Sequence, residues 1–226
     1  MVGQGVLREC LLAGDVDGVL VVGRRPLGEL PASLAGPAGA KLQEVVIGDL
    51  AAPAAYAAVA ERLRGYDACF FCLGVSSAGM AEADYRRVTY DITLAAAETL
   101  VKLDPGMTFV YVSGVGTDST ESGKVMWARV KGATENALLR LPFKAAYMLR
   151  PGFIRAMHGA RSRTLAYRVL YTLFRPLVPL VTAAFPRQTT TTEVIGRAML
   201  NLARHGDAMK VFEPPDINRL GRLTAS

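Results

Sequence analysis

The chain has little cysteine, few histidines and a single tryptophan. Three cysteines in 226 residues exclude a disulfide framework, and with no recognisable secretory leader they lead us to expect a reducing, cytoplasmic setting. Cys69 and Cys72 form a CxxC spacing, but residues i and i+3 of a strand point to opposite faces. The two thiols therefore cannot share a metal or redox site, and no metal is expected. Long apolar runs are also absent. The most hydrophobic stretch, 169–186, is interrupted by Arg175, Pro176 and Pro179, far short of the roughly 20 apolar residues that span a bilayer.

Acidic residues are missing from one long segment. Between Asn136 and Thr192 there are nine Lys or Arg and no Asp or Glu. The net charge of +6 is thus a basic segment on a body with 17 basic and 20 acidic residues. These arginines sit among apolar residues rather than in the polar-interleaved clusters of nucleic-acid binders, so no nucleic-acid partner is expected. With 51% hydrophobic and 20% charged residues, the chain folds as one domain, 1–226, rather than remaining disordered.

Short apolar runs at 18–23, 43–48, 67–73, 107–113, 145–150 and 209–213 read as strands buried on both faces. Between them lie helical patterns at 3–13, 53–64, 83–102, 125–141 and 192–204, with Gly14 as a C-terminal stop for the first. Alternating strands and helices specify an α/β, doubly wound parallel sheet with helices on both faces. The chain opens on a helix, whereas such a sheet starts with a central strand followed by a phosphate-binding turn.

Candidate ligand positions fall at the carboxyl ends of the strands, where open α/β sheets bind ligands. Gly3 stands at the start of the first helix, whose free N–H groups suit a pyrophosphate. Arg24 and Arg25 end the next strand, 21 and 22 residues on, at the spacing that meets an adenosine ribose. Two arginines there suit a 2′-phosphate, hence NADP, with NAD as the other choice; two solvated arginines are the plain alternative. Asp49 and Leu50 follow the next strand, where Asp49 accepts from an adenine amino group or caps a turn. Leu73-Gly74 ends the fourth run, and glycine lets a cofactor approach the backbone. Ser113 ends the fifth, and Lys131 follows on the next helix. A serine there can polarise a carbonyl and a lysine can hold ribose hydroxyls, although a surface lysine is equally ordinary. Arg155 and His158, after Arg150-Pro151-Gly152, are candidates to bind an anionic substrate group.

The runs VGQGVLRECL, VLVVGRRP, GDL, the strand ending VSG, WARVK and RPGFI together resemble the extended and atypical short-chain dehydrogenases/reductases. Within them the chain is most similar to bacterial NAD-dependent epimerase/dehydratase-like proteins related to the Tat-interacting-protein oxidoreductases. The resemblance implies a Rossmann fold and an NADP-dependent oxidoreductase or epimerase acting on a small carbonyl or alcohol compound. It implies Ser113 and Lys131 as catalytic residues, Gly3, Arg24, Arg25, Asp49, Leu50, Leu73, Gly74, Lys131 and Pro151 at the cofactor, and a substrate-side helical lobe over 151–190. Two departures accompany it. Trp127 occupies the position of the family's catalytic tyrosine, and indole cannot exchange a proton at neutral pH. That leaves Tyr85, Tyr90 or Tyr111 as substitutes, or a nucleotide-binding scaffold that no longer catalyses. The family's first strand and first glycines are also absent, which suggests an upstream start. Finally, apolar residues at helical spacing over 161–186 carry a basic stripe, readable as a core helix, a homodimer contact or a peripheral membrane helix.

Overall fold

The computed structural model describes residues 1–34, 36–159 and 187–223. The amphipathic stretch 161–186 expected above lies outside them. The chain opens with α1 (Val2–Leu12) and β1 (Val19–Gly23), then α2 (Pro37–Ala40), β2 (Leu42–Val46), α3 (Pro53–Ala57) and β3 (Ala68–Phe71). α4 (Glu82–Arg86) runs through a π turn at Arg87–Asp91 into α5 (Ile92–Leu103). β4 (Thr108–Val112), α6 (Met126–Arg140), β5 (Ala145–Leu149) and β6 (Phe153–Arg155) follow. β7 (Thr189–Thr191), α7 (Thr192–His205), β8 (Val211–Phe212) and α8 (Pro214–Leu220) complete the described chain.

Every strand pair is parallel, as the unalternating apolar runs predict. The strands pack as β1–β2, β3–β4–β5–β8 and β6–β7. Neighbouring side chains of one strand feed opposite layers. Val110, Tyr147 and Leu149 pack against Val6 and Cys10 of α1, Ile195 and Met199 of α7 and Ile217 of α8. Phe109, Tyr111 and Met148 pack instead against Ala97 of α5 and Leu138 of α6. The result is a doubly wound α/β sandwich of the Rossmann type.

The sheet is interrupted. β1 and β3 are not hydrogen-bonded to each other, yet the same two layers bridge them. Val19 joins Phe70 and Cys72 under α1, while Leu20 joins Phe71 and Leu73 on the other face.

Several expectations change in detail. The helix expected over 53–64 breaks after Ala57 and resumes as a 3₁₀ turn at Ala60–Leu63. Gly14 is not a left-handed cap; Ala13 ends α1 in an extended conformation. The flanks of 151–190 were expected to be helical, but β6 and β7 pair there as short parallel strands. Cys69 and Cys72 pack on opposite faces of the sheet, and burial holds the Cys69 thiol up at about 12.

Candidate functional site

Within β3–β4–β5–β8 all strands run the same way, so their carboxyl ends share one edge with the loops that follow them. Ser113 stands just past β4. Its backbone N–H donates to Leu149 O at 2.8 Å, and Val115 N donates to Pro151 O at 3.0 Å, so the exits of β4 and β5 are tied together. Pro151 is buried, and it supplies this brace through its carbonyl.

α6 brings Lys131 back to the same edge. Lys131 Nζ donates to the Ser113 carbonyl oxygen, and a side chain added at Gly114 would start only 3.6 Å from that nitrogen. The loop after β4 lies directly on α6. Asp118 N donates to Ala128 O at 3.1 Å, and a Cβ on Gly132 would sit 1.7 Å from Asp118 O. Glycine after Lys131 is what permits that approach. Trp127 lies one turn before Lys131 on the same helical face, and its ring edge meets the loop at Gly116, whose φ is +84°.

The Ser113 hydroxyl points elsewhere than toward an open site. It donates to Glu135, a carboxylate only 1% exposed. Glu135 is also gripped by Arg150, whose Nε donates to its two oxygens at 3.1 and 3.2 Å and whose Nη2 completes the fork. The same guanidinium reaches Ser119 Oγ at 2.6 Å and Glu213 at 3.4 Å, and the bond to Glu135, with Glu213 second, holds its pKa above the usual arginine value. A buried charge needs this kind of full pairing. Sequence reasoning missed Glu135. Its only signal is a position four residues after Lys131, on the face that α6 buries.

Lys131 is half-buried and titrates at about 8, below its ordinary 10.5. Burial is the main cause, and Glu135 partly opposes it. Tyr85 and Tyr111 are both buried, and burial raises both hydroxyls. Tyr111 faces Thr134 of α6, and Tyr90 lies under the Arg86 guanidinium at 4.1 Å.

The remaining sequence candidates distribute along the rim. Gly3 is exposed at the start of α1, in ordinary contact range of Cys72. The tight approach is made by Gly5, whose Cβ would be 2.7 Å from Thr192 O. Arg24 and Arg25 are exposed after β1 and make no hydrogen bond or ion pair among the described residues. Asp49 caps its own turn by accepting from Ala51 N at 3.0 Å. Leu50 is buried and its carbonyl accepts from Tyr56 at 3.0 Å. Leu73 is half-buried, while Gly74 is exposed with open space where a Cβ would stand. Arg155 ends β6, exposed. His158, at φ +52°, bonds Glu193 of α7 at 3.0 Å, and Glu193 in turn pairs with Arg197. The edge therefore brings Ser113, Lys131 and Pro151 together, whereas His158 is engaged by α7.

No family model matches the chain. Protein fmp-52, mitochondrial, from Neurospora crassa is 31% identical over 144 residues, which cover 58% of this chain and 55% of that protein. Protein FMP52-1, mitochondrial, from Scheffersomyces stipitis is 30% identical over 99 residues, covering 43% of this chain and 42% of that protein. The chain spans about half the length, or less, of these curated relatives. Their names overturn the cytoplasmic expectation, because three relatives are named as mitochondrial proteins. Low cysteine content, on which that expectation rested, does not separate one reducing compartment from another.

Among solved structures, L-sorbose reductase from Gluconobacter frateurii, complexed with NADPH and L-sorbose, superposes with a TM-score of 0.67 at 16% identity. The match covers 94% of this chain and 89% of that one. The ADP-L-glycero-D-manno-heptose-6-epimerase of Helicobacter pylori gives 0.65 at 15% identity over 94% and 73%. The chain thus shares its fold with these two structures.

Proposed function

We propose that the chain binds NADP and serves as an oxidoreductase or epimerase on a small carbonyl or alcohol compound. The observation that carries this reading is the placing of Arg24 and Arg25 just past β1 and of Lys131 against the Ser113 carbonyl just past β4. The residues suit such a cofactor. Two exposed guanidiniums with no partner among the described residues match a 2′-phosphate, the bare Gly74 leaves room along the backbone, and the start of α1 offers N–H groups to a pyrophosphate. A bound reduced nicotinamide supplies hydride. The chain's part is to hold it: Lys131 at the ribose hydroxyls, Pro151 and the β4 exit as the floor beside it, and Arg155 toward an anionic substrate group. The kinship with the Tat-interacting-protein oxidoreductases and a substrate-side lobe over 151–190 belong to the same reading.

A panel of small aldehydes and ketones, followed by loss of NADPH absorbance, and of nucleotide sugars, followed by chromatography of the products because epimerisation consumes no NADPH, tests it. Turnover of one class supports the reading. NADPH binding without turnover across the panel favours a nucleotide-binding scaffold. That second reading draws on Trp127 and on the Ser113 hydroxyl being committed to Glu135.

A further inference from the structure

We propose that Lys131 itself is the proton carrier of the reaction, giving its proton to the carbonyl oxygen of a bound substrate in reduction and taking it back in oxidation. The proposal rests on the oxidoreductase reading above.

The step needs a group that both bears an exchangeable proton and has a free direction in which to deliver it. The neighbours of Lys131 fail one requirement or the other. Trp127, on its own helix, has an N–H that does not ionise at working pH. The Ser113 hydroxyl of β4 is donated to buried Glu135. Tyr111 of β4 and Tyr85 of α4 are buried, and burial holds their protons more tightly than in water. Arg150, reached through Glu135, never deprotonates in this range. Among the described residues Glu135 is the carboxylate that bears on the lysine, and Arg150 neutralises it.

Lys131 differs from all of these. Its ammonium spends one N–H on the Ser113 carbonyl, which fixes its position, and an ammonium has three. The bare backbone of Gly114 leaves the approach beside Nζ open. Burial with a pre-neutralised carboxylate brings its proton affinity to about 8, close to the working pH of a general acid. In reduction the carbonyl carbon gains hydride from the reduced nicotinamide, and the C=O electron pair moves to oxygen. That oxygen takes one proton from the ammonium, leaving an alcohol and a neutral amine. Solvent then reprotonates the amine.

Two measurements on the intact chain decide it. In the first, limited acetylation across a pH series, read by peptide mass spectrometry, titrates each lysine without ligand. Lys131 is expected to reach half-reactivity near pH 8, below its ordinary 10.5. In the second, Lys131→Arg keeps the positive charge but holds no labile proton. At saturating NADPH its turnover is expected to fall by at least about a hundredfold. The limb near pH 8 is expected to vanish from the rate profile. Half-reactivity of Lys131 near its ordinary 10.5, or an arginine variant with full turnover and an unchanged profile, overturns the proposal while the oxidoreductase reading stands. An unsubstituted chain that binds no NADPH overturns both.

Discussion

Lys131 and Ser113 meet through the backbone rather than through the serine hydroxyl: the ammonium donates to the Ser113 carbonyl, and the hydroxyl turns inward to Glu135. The serine thereby anchors the lysine and links it to a buried ion-pair network.

That network carries the first expectation. Removing the Glu135 carboxylate strands Arg150, which retains only Ser119 and the half-exposed Glu213. Glu135→Ala is expected to lower unfolding free energy by about 3 kcal/mol, the lower end of the range for breaking a buried pair. Pairing it with Arg150→Met is expected to recover much of the loss. Urea denaturation of the single and double variants checks both.

The two glycines of α1, Gly3 and Gly5, are expected to respond differently. A Cβ at Gly5 meets Thr192 Cβ at 2.5 Å and its carbonyl at 2.7 Å, so Gly5→Ala must push α1 off α7. It is expected to cost about 2 kcal/mol, within the range for overpacking. Gly3→Ala meets only Cys72 Cβ at 3.4 Å and is expected to change stability by less than about 0.5 kcal/mol. Parallel thermal melts separate the two.

The interruption between β1 and β3 leaves backbone groups of two interior strands without a ladder partner. Amides of β1 and β3 that do not bond to β2 or β4 are expected to exchange with deuterium as fast as loop amides, despite their central place. Those of β4 and β5, paired on both sides, are expected to be protected. Residue-resolved hydrogen exchange reads this directly.

Lys131 also predicts a pH dependence of stability. Its folded pKa, about 8, lies below the unfolded value near 10.5, so the unfolded chain binds more protons between them. Its destabilising charge is present in full below pH 8 and fades as pH rises toward 10. Lys131→Met is therefore expected to stabilise the protein at pH 7, with the advantage shrinking by pH 10. Comparing variant and parent at each pH cancels the opposite trend from buried Cys10 and Cys69, whose raised thiol pKa values favour folding less as pH climbs above 9.

β4 and β5 were legible because burial on both faces leaves unbroken apolar runs such as FVYV, and their parallel direction followed from the helices between them. β6 and β7 were not, since each has three residues and their pairing joins segments more than thirty residues apart. The π turn within the helix expected over 83–102 left no mark either, since Arg87–Asp91 has no Gly or Pro. At the site, Ser113 and Lys131 could be named from spacing, but the direction of the serine hydroxyl depends on Glu135 and Arg150, three elements folded together. The two glycines of α1 read alike in sequence, and only the position of Thr192 distinguishes them.

The most direct test of the cofactor reading is a fluorescence titration of the chain with NADPH and with NADH, repeated for Arg24→Ser and Arg25→Ser. The account predicts tighter binding of NADPH, a loss of about tenfold in its affinity for each variant, and little change for NADH, as expected when charge-assisted contacts to a 2′-phosphate are removed. Equal affinity for both nucleotides that neither substitution alters would contradict it.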